Sequence, residues 1–457
     1  MLKTILVANR GEIAVRVVRA CRDLGVRSVV AYSAADRDSL AVELADDAVC
    51  LGPAPAGQSY QDISAILYAC ARTGADGVHP GYGFLSEDPA FAATCEEVGL
   101  TFVGPSSGHI GAMGDKSLAR TTAARAGVPV LPGSAAPVRG LAEATEVAAR
   151  IGYPVALKAV AGAGGKGIAV VGTPGELAAA FDETTRAAGA VLADPRVYVE
   201  RFLPRARHIE VQVLGDRHGT VVDLGERDCS VQRRHQKLVE ECPAPALDTA
   251  LRERLRTAAK ACAREIGYHS AGTVEFLVGA DGSAYFIEMN TRLQVEHPVT
   301  EQSTGVDLVE WMIRIASGEP LGPRQEDIRL RAHCVEARVT AEDHTSGWRS
   351  SAGRVTGLRL PAGPGIRVDT HLFDGYFVPP HYDSLLAKVI ATGETREQAL
   401  RRLGRALHEF RCDGVRTNVD FHRALLRTTE FQAGTHRLDI ADEVLAVAGT
   451  SGEDGNR

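Results

Sequence analysis

No stretch of this chain approaches the ~20 consecutive apolar residues that a membrane-spanning helix needs. Residues 1–9 form a short strand pattern without the cleavage site of a secretory signal. No long basic run is present and the net charge is −7, which argues against a nucleic-acid partner. The nine cysteines are scattered and form no Cys-x-x-Cys pair, so neither a disulfide frame nor a zinc site is expected. They read as reduced thiols of a cytoplasmic protein. Lysine is scarce: seven residues, at 3, 116, 158, 166, 237, 260 and 388, while Lys and Arg together number 51. Where positive charge defaults to arginine, a lysine more often serves as a compact point charge, for instance on a phosphate.

What is present is a globular composition, 45% apolar and 24% charged. At 457 residues the chain exceeds one typical core, so about two to four domains are expected. Residues 1–113 alternate strand and helix patterns, with strands at 4–8 and 28–32 and helices at 12–24 and 62–73. This is a doubly wound α/β unit. Its first turn, Asn9-Arg-Gly-Glu12, lacks the glycine fingerprint of a dinucleotide site. His79-Pro-Gly-Tyr-Gly-Phe-Leu-Ser-Glu87 is turn-rich and reads as a tight loop or, about equally, a site loop. A helix follows Gly114-Asp-Lys116, and a small module at 131–203 holds a helix at 143–150 and strands at 154–158, 168–171 and 197–203.

Gly162-Ala-Gly-Gly-Lys-Gly167 joins two of those strands. No helix follows it, so it is not a Rossmann turn, and no Gly-Lys-Ser/Thr ends it, so it is not a Walker A loop. A glycine loop between strands matches instead a flap over nucleotide phosphates, with Lys158 on the incoming strand. The run Glu226-Arg-Asp-Cys-Ser-Val-Gln-Arg-Arg-His-Gln-Lys237 is densely polar and reads as solvated surface, with Cys229 a small buried thiol rather than a nucleophile. A helix at 250–266, a helix at 305–317 and a linker at 318–323 lead to a last unit, 328–446, with helices at 395–410 and 439–447. Residues 447–457 read as a disordered tail.

The densest chemistry lies in Phe286-Ile-Glu-Met-Asn-Thr-Arg-Leu-Gln-Val-Glu-His-Pro298. Glu288, Asn290, Arg292, Gln294 and Glu296 recur at every second position, which in an extended chain puts them on one face. Strands at 273–278 and 284–289 pair as a hairpin if Gly279 faces Ala284, and Glu275 then faces Glu288. Directly opposed like charges destabilise, and a divalent cation between them removes the repulsion.

A flap with Lys158, a distant Lys116, and Glu275, Glu288 and Asn290 on one hairpin resemble the ATP-grasp superfamily. More specifically, the chain resembles biotin carboxylase, the ATP-dependent subunit of acetyl-CoA and related acyl-CoA carboxylases, over residues 1–446. The resemblance rests on ANRGEIA, HPGYGFLSE, KAVAGAGGKGI, ERDCSVQRRHQK and FIEMNTRLQVEHPVTE. It implies an α/β and α+β multidomain fold. A pre-ATP-grasp domain spans 1–113, an ATP-grasp domain 114–318 with a mobile lid at 131–203, and a biotin carboxylase C-terminal domain 328–446.

The resemblance also implies roles. Lys116, Lys158, His208, Gly164 and Gly165 contact ATP. Glu200, Arg201, Leu203 and Leu277 border the adenine, with Gln232 and His235 nearby. Glu275, Glu288 and Asn290 bind two Mg²⁺ (or Mn²⁺). Lys237, Arg292, Gln294 and the Val295 backbone hold bicarbonate, Glu296 is the general base, and Arg338 steadies the biotin enolate. Three departures stand out: Arg201 for a usual Lys, Lys166 for a common Arg, and residues 348–352 for a more proline-rich loop. None of the four methionines adjoins a lysine, so no biotin-attachment motif is present. The biotin carboxyl carrier protein and the carboxyltransferase are then expected on other chains, with this chain a homodimer serving fatty acid biosynthesis. The competing readings are another ATP-grasp ligase that joins an acyl phosphate to an amine, and an inactive scaffold that docks the carrier.

Overall fold

A computed structural model describes residues 1–160, 167–192 and 195–450. Five parallel strands open the chain: β1 (Thr4–Val7), β2 (Arg27–Ser33), β3 (Asp47–Gly52), β4 (Gly77–His79) and β5 (Thr101–Phe102), in the order β3-β2-β1-β4-β5. Alternation along β1 places Ile5 and Val7 in one apolar cluster and Leu6 and Ala8 in another, so helices cover both faces. The helix Gly11–Asp23 buries Ile13, Ala14, Val17, Val18 and Cys21 on the first face. Ile63–Thr73 lies on the second, capped by Asp62, whose carboxylate accepts the Ala65 N–H, and ended by Gly74 at φ 66°.

The small module holds β6 (Val155–Ala159), β7 (Ile168–Val171) and β8 (Val197–Arg201), antiparallel in the order β7-β6-β8. Helices Leu141–Ile151 and Leu177–Leu192 pack on it through Ala144, Val147, Leu177 and Phe181. The alanine-rich second helix was not apparent in the sequence. Residues 161–166, with Gly164, Gly165 and Lys166, lie outside the described residues.

The body is one eight-stranded sheet. It contains β9 (Arg207–Gly215), β10 (Val221–Arg233), β11 (Gln236–Cys242), β12 (Ser270–Val278), β13 (Ala284–Asn290) and β14 (His333–Thr340), followed by strands Leu385–Gly393 and Ile366–Thr370. The order is β13-β12-β9-β10-β11-β14, then those two. The unit from residue 328 onward therefore joins the central domain edge to edge, through β11 and β14. Two sequence expectations change here. The polar run from Glu226 is no solvated surface: residues 226–232 are buried in β10. Each charge there meets its opposite, Glu226 with Arg252, Arg227 with Glu210, and Asp228 with Arg207. And the last helix, Ile440–Thr450, runs through residues 447–450 of the expected tail; residues 451–457 lie outside the described residues.

The unusual loop at 348–352 is anchored by Trp348, only 8% exposed and at φ 63°. Its ring packs edge-on to Phe421 at 5.2 Å, and the Arg233 guanidinium lies 4.9 Å from the ring centroid. Among the described residues no helix is long and apolar enough to cross a membrane.

Candidate active site

The β12–β13 hairpin sets the site. Its pairing starts at Val278 opposite Ala284, one residue tighter than the sequence suggested, because Gly279 donates its N–H to the Ser283 carbonyl. A register shift between Glu275 and Phe276 then restores the expected opposition of Glu275 and Glu288. β13 ends at Asn290, so the polar row does not stay extended: a turn carries Arg292 and Gln294, and Glu296 (φ −79°, ψ 8°) opens the helix His297–Thr304.

At the hairpin end Glu275 is buried and fully used. It accepts from Asn290 and Gln294 at 2.8 Å each and from Lys237 at 3.1 Å, and its second oxygen lies 2.9 Å from His208 Nε2. Burial opposes charge on Glu275, but Lys237 and His208 outweigh it and hold the carboxyl below its usual range. Burial likewise opposes charge on His208, and Glu275 raises it. Glu288 is the converse. It has no hydrogen bond or ion pair among the described residues. Enclosure and the charges of Glu275 and Glu87 push it up. A carboxylate without a partner, beside a second carboxylate and an amide, is the donor set a hard divalent cation takes. His208, Glu210 and Glu275 also cluster closely enough to share an ion, with ligand atoms within 4.8 Å of one another.

Gln232 donates to His208 Nδ1 at 2.9 Å, at the start of the turn that carries exposed His235. His235 is held low by partial burial and by Lys158 and His208. Lys158 does not point to open space: it donates to Glu200 at 2.6 Å, and Glu200 also pairs with Arg120. Lys116 is the exposed first residue of helix Lys116–Arg125, without an ion pair among the described residues. Leu203 is half-buried after β8; Leu277 lies opposite His208 across β12–β9, and exposed Arg201 uses its backbone, donating its N–H to Pro132 at 2.8 Å.

At the other end the charges interlock. Lys237 bridges Glu210 at 2.5 Å, Glu275 at 3.1 Å and Glu296 at 2.5 Å. Burial opposes the Lys237 charge, and these three carboxylates raise it well above the usual range. Arg338 donates to Glu296 at 2.9 Å and through Nε to Glu240 at 2.6 Å. Burial resists ionisation of Glu296, but Lys237 and Arg338 hold it well below the ordinary carboxylate range. Arg292 donates to Glu87 at 2.8 Å and to Asn290 at 2.9 Å. Cys229 is a buried thiol pushed well up by burial and Glu210, so it is no nucleophile at neutral pH.

Three contributors escaped the sequence reading. Arg227, fully buried, donates to Glu210, Gln212, Thr300, Thr273 and Gln294, and so holds Gln294 from behind. The loop ending at Glu87 is part of the site, since Glu87 accepts the Thr291 N–H at 3.0 Å as well as pairing with Arg292. A lone Glu after a turn carries no signal of that reach. The third is a pair of carboxylates. Glu240 and Glu336 face each other across β11 and β14, both 0% exposed. Glu240 Oε2 and both Glu336 oxygens lack hydrogen bonds among the described residues.

Burial, then mutual repulsion, pushes Glu336 well above the usual value; burial pushes Glu240 up to about 7 despite Arg338. Raised carboxyls favour the fold fully below their unfolded value of 4.5 and lose that contribution as pH rises through the folded values. Glu336→Gln removes one of the two titrations. Between pH 5 and pH 8 the stability difference should therefore move in favour of the variant by on the order of 1 kcal/mol or more. Paired thermal melts check this, and a difference independent of pH refutes the raised Glu336 carboxyl.

A family model described as "Carbamoyl-phosphate synthase L chain, ATP binding domain" matches residues 115–324, which contain nearly all of these side chains. The fold and site thus belong to a class built around an ATP-binding domain. "Biotin carboxylase, N-terminal domain" matches residues 1–110 and "Biotin carboxylase C-terminal domain" residues 336–443. Biotin carboxylase of Pseudomonas aeruginosa is 50% identical over 448 residues, covering 98% of this chain and 99% of the relative. The crystal structure of a biotin carboxylase β-γ-ATP complex from Campylobacter jejuni superposes with a TM-score of 0.93 at 43% identity, over 97% of this chain and 99% of that one. The biotin carboxylase domain dimer of Hydrogenobacter thermophilus 2-oxoglutarate carboxylase, in complex with MgADP, ADP and bicarbonate, gives 0.92 at 43%, with the same coverage. The chain belongs to the biotin carboxylase family.

Proposed function

We propose that this enzyme carboxylates biotin on a separate carrier protein in the cytoplasm, using ATP and bicarbonate, as the first half-reaction of an acyl-CoA carboxylase. One observation carries the reading: the partner-free Glu288 beside Glu275 and Asn290 adjoins, within a few residues, the ion-paired group of Lys237, Glu296 and Arg338. A phosphate-and-metal site thereby meets an anion site. Family membership, and the nucleotide, magnesium and bicarbonate bound to the Hydrogenobacter relative, support it.

Lys116, Lys158 and His208 bind the nucleotide, and Lys158 exchanges its Glu200 partner for phosphate. Glu200, Arg201, Leu203 and Leu277 border the adenine, with Gln232 and His235 nearby. Glu275, Glu288 and Asn290 would hold two Mg²⁺ ions (or Mn²⁺), which when bound neutralise phosphate charge. Arg292, Gln294, the Val295 backbone and Lys237 hold bicarbonate, and Arg292 suits its planar face better than a lysine would. Glu296, kept ionised by its two cations, takes the bicarbonate proton. The freed oxygen attacks the γ-phosphate in line, giving carboxyphosphate and ADP. Carboxyphosphate breaks to CO₂ and phosphate, the phosphate takes the biotin ureido proton, and Arg338 steadies the resulting enolate oxygen. The nitrogen then attacks CO₂ to give carboxybiotin. The working unit is a homodimer acting with the carrier and a carboxyltransferase.

The test is ADP release by purified protein with Mg²⁺, with and without bicarbonate and free biotin. ADP release requiring bicarbonate and rising with biotin is the expected result. Release indifferent to biotin would favour another ATP-grasp ligase, and an inert protein would favour a scaffold.

A further inference from the structure

Among the lysines of the described residues, Lys388 is the one with no exposed surface. It is 0% exposed on strand Leu385–Gly393, opposite Arg338 in β14. Its Nζ lies 3.0 Å from Glu12 Oε1 and donates to the Val295 carbonyl at 3.0 Å. Asp369 stands 4.0 Å away, committed to Arg367 through both oxygens. Glu12, from the first helix, also accepts the Tyr82 hydroxyl. One side chain thus ties together the N-terminal helix, the last unit and the turn after β13.

Packing alone does not ask for a lysine there. A buried ammonium is costly unless paired and hydrogen-bonded, and an apolar side chain of similar volume fills the same space. Glu12 accounts for the charge. The remaining feature is the bond to Val295, the one side-chain hydrogen bond that carbonyl accepts among the described residues. Val295 lies where β13 has ended and the helix His297–Thr304 has not begun, so no ladder holds its peptide. Because the peptide unit is planar, fixing the carbonyl fixes the plane through which the chain enters Glu296. Gln294 and Glu296 on either side are aimed by Arg227 and by Lys237 and Arg338.

We infer that Lys388 is a positioning residue for bicarbonate: it holds the Val295–Glu296 peptide from behind the site, so that the Val295 backbone and the Glu296 carboxylate meet the anion together. This rests on the function proposed above and adds a residue from the last unit to its anion site.

The test compares the unsubstituted protein with Glu12→Gln/Lys388→Met. The double variant leaves no unpaired buried charge from the ion pair, so it folds where Lys388→Met alone could fail. The expected result is an apparent KM for bicarbonate about tenfold to a hundredfold higher in the double variant than in the unsubstituted protein, the loss typical of one hydrogen bond to a charged group. ADP affinity by calorimetry should be equal in the two. Lys388→Gln in the same background keeps an N–H donor and should recover part of the loss. Equal bicarbonate KM in the unsubstituted protein and the double variant, or no recovery with Gln, overturns the inference. Loss of ADP affinity in step with KM also overturns it, as a general structural defect. Absence of bicarbonate- and biotin-dependent ADP release from the unsubstituted protein overturns the functional reading instead.

Discussion

Glu288→Gln lowers kcat by about a hundredfold or more and leaves the fold intact. In the proposed role as a metal ligand, Glu288 supplies charge where phosphate charge gathers, and even outer partners of a metal typically cost tenfold to a hundredfold. The structure makes the variant clean. Glu288 has no hydrogen bond or ion pair among the described residues, so no ion pair is broken. It also faces Glu275 directly, and removing one of two opposed like charges relieves their repulsion. The melting temperature without metal should therefore stay level or rise slightly. The further rise on adding Mg²⁺ with ADP, clear for the unsubstituted protein, should largely vanish. Near-normal kcat together with a normal Mg²⁺-linked rise would refute the metal assignment.

Glu296→Ala should act on the opposite end. Proton abstraction by a placed side chain contributes about 10²–10⁴-fold, and kcat falls on that scale while ADP affinity holds. This substitution also takes one of three carboxylates from Lys237 and one of two from Arg338, leaving Glu210, Glu275 and Glu240 as their partners, and so costs some stability. Glu296→Gln keeps the shape and is the better control for folding. Because Glu296 is held well below the usual range, its contribution to stability is present above the unfolded value of 4.5 and is lost as pH falls through the folded one. The penalty of removing it should accordingly shrink on strong acidification. For the same reason, protonation of Glu296 produces no break in the pH–rate profile near neutrality. Calorimetric loss of ADP binding in the Glu296→Gln variant, or an unchanged kcat, would contradict the role as base.

Local pattern carried the hairpin far. Glu275 opposite Glu288 followed from turn residues and strand periodicity alone, and it holds even though the register that led there was one residue off. A bulge supplies the compensation, and bulges leave no clear mark in a single sequence. Alternation failed sooner past Asn290. The every-second-residue row reads as a strand, yet the chain turns, and the side chains converge through tertiary partners: Arg227 for Gln294, Lys237 and Arg338 for Glu296. The run from Glu226 misled because charged residues are normally solvated. Its burial in β10 depends on Glu210, Arg207 and Arg252, which lie too far along the chain for any window to pair them.

The sequence by itself determined the family, through long motifs, and singled out the lysines and carboxylates proposed for the chemistry, because those depend on residue type and short spacing. Tertiary structure alone decided which of those charges are buried and what each one faces. It placed Arg227, Glu87, the opposed Glu240 and Glu336, and Lys388 around the same turn, and it ran one sheet through two domains. The reason is physical: a charge survives out of water only beside its counter-charge, and here those partners are brought together by strand pairing and domain contact across tens to hundreds of residues.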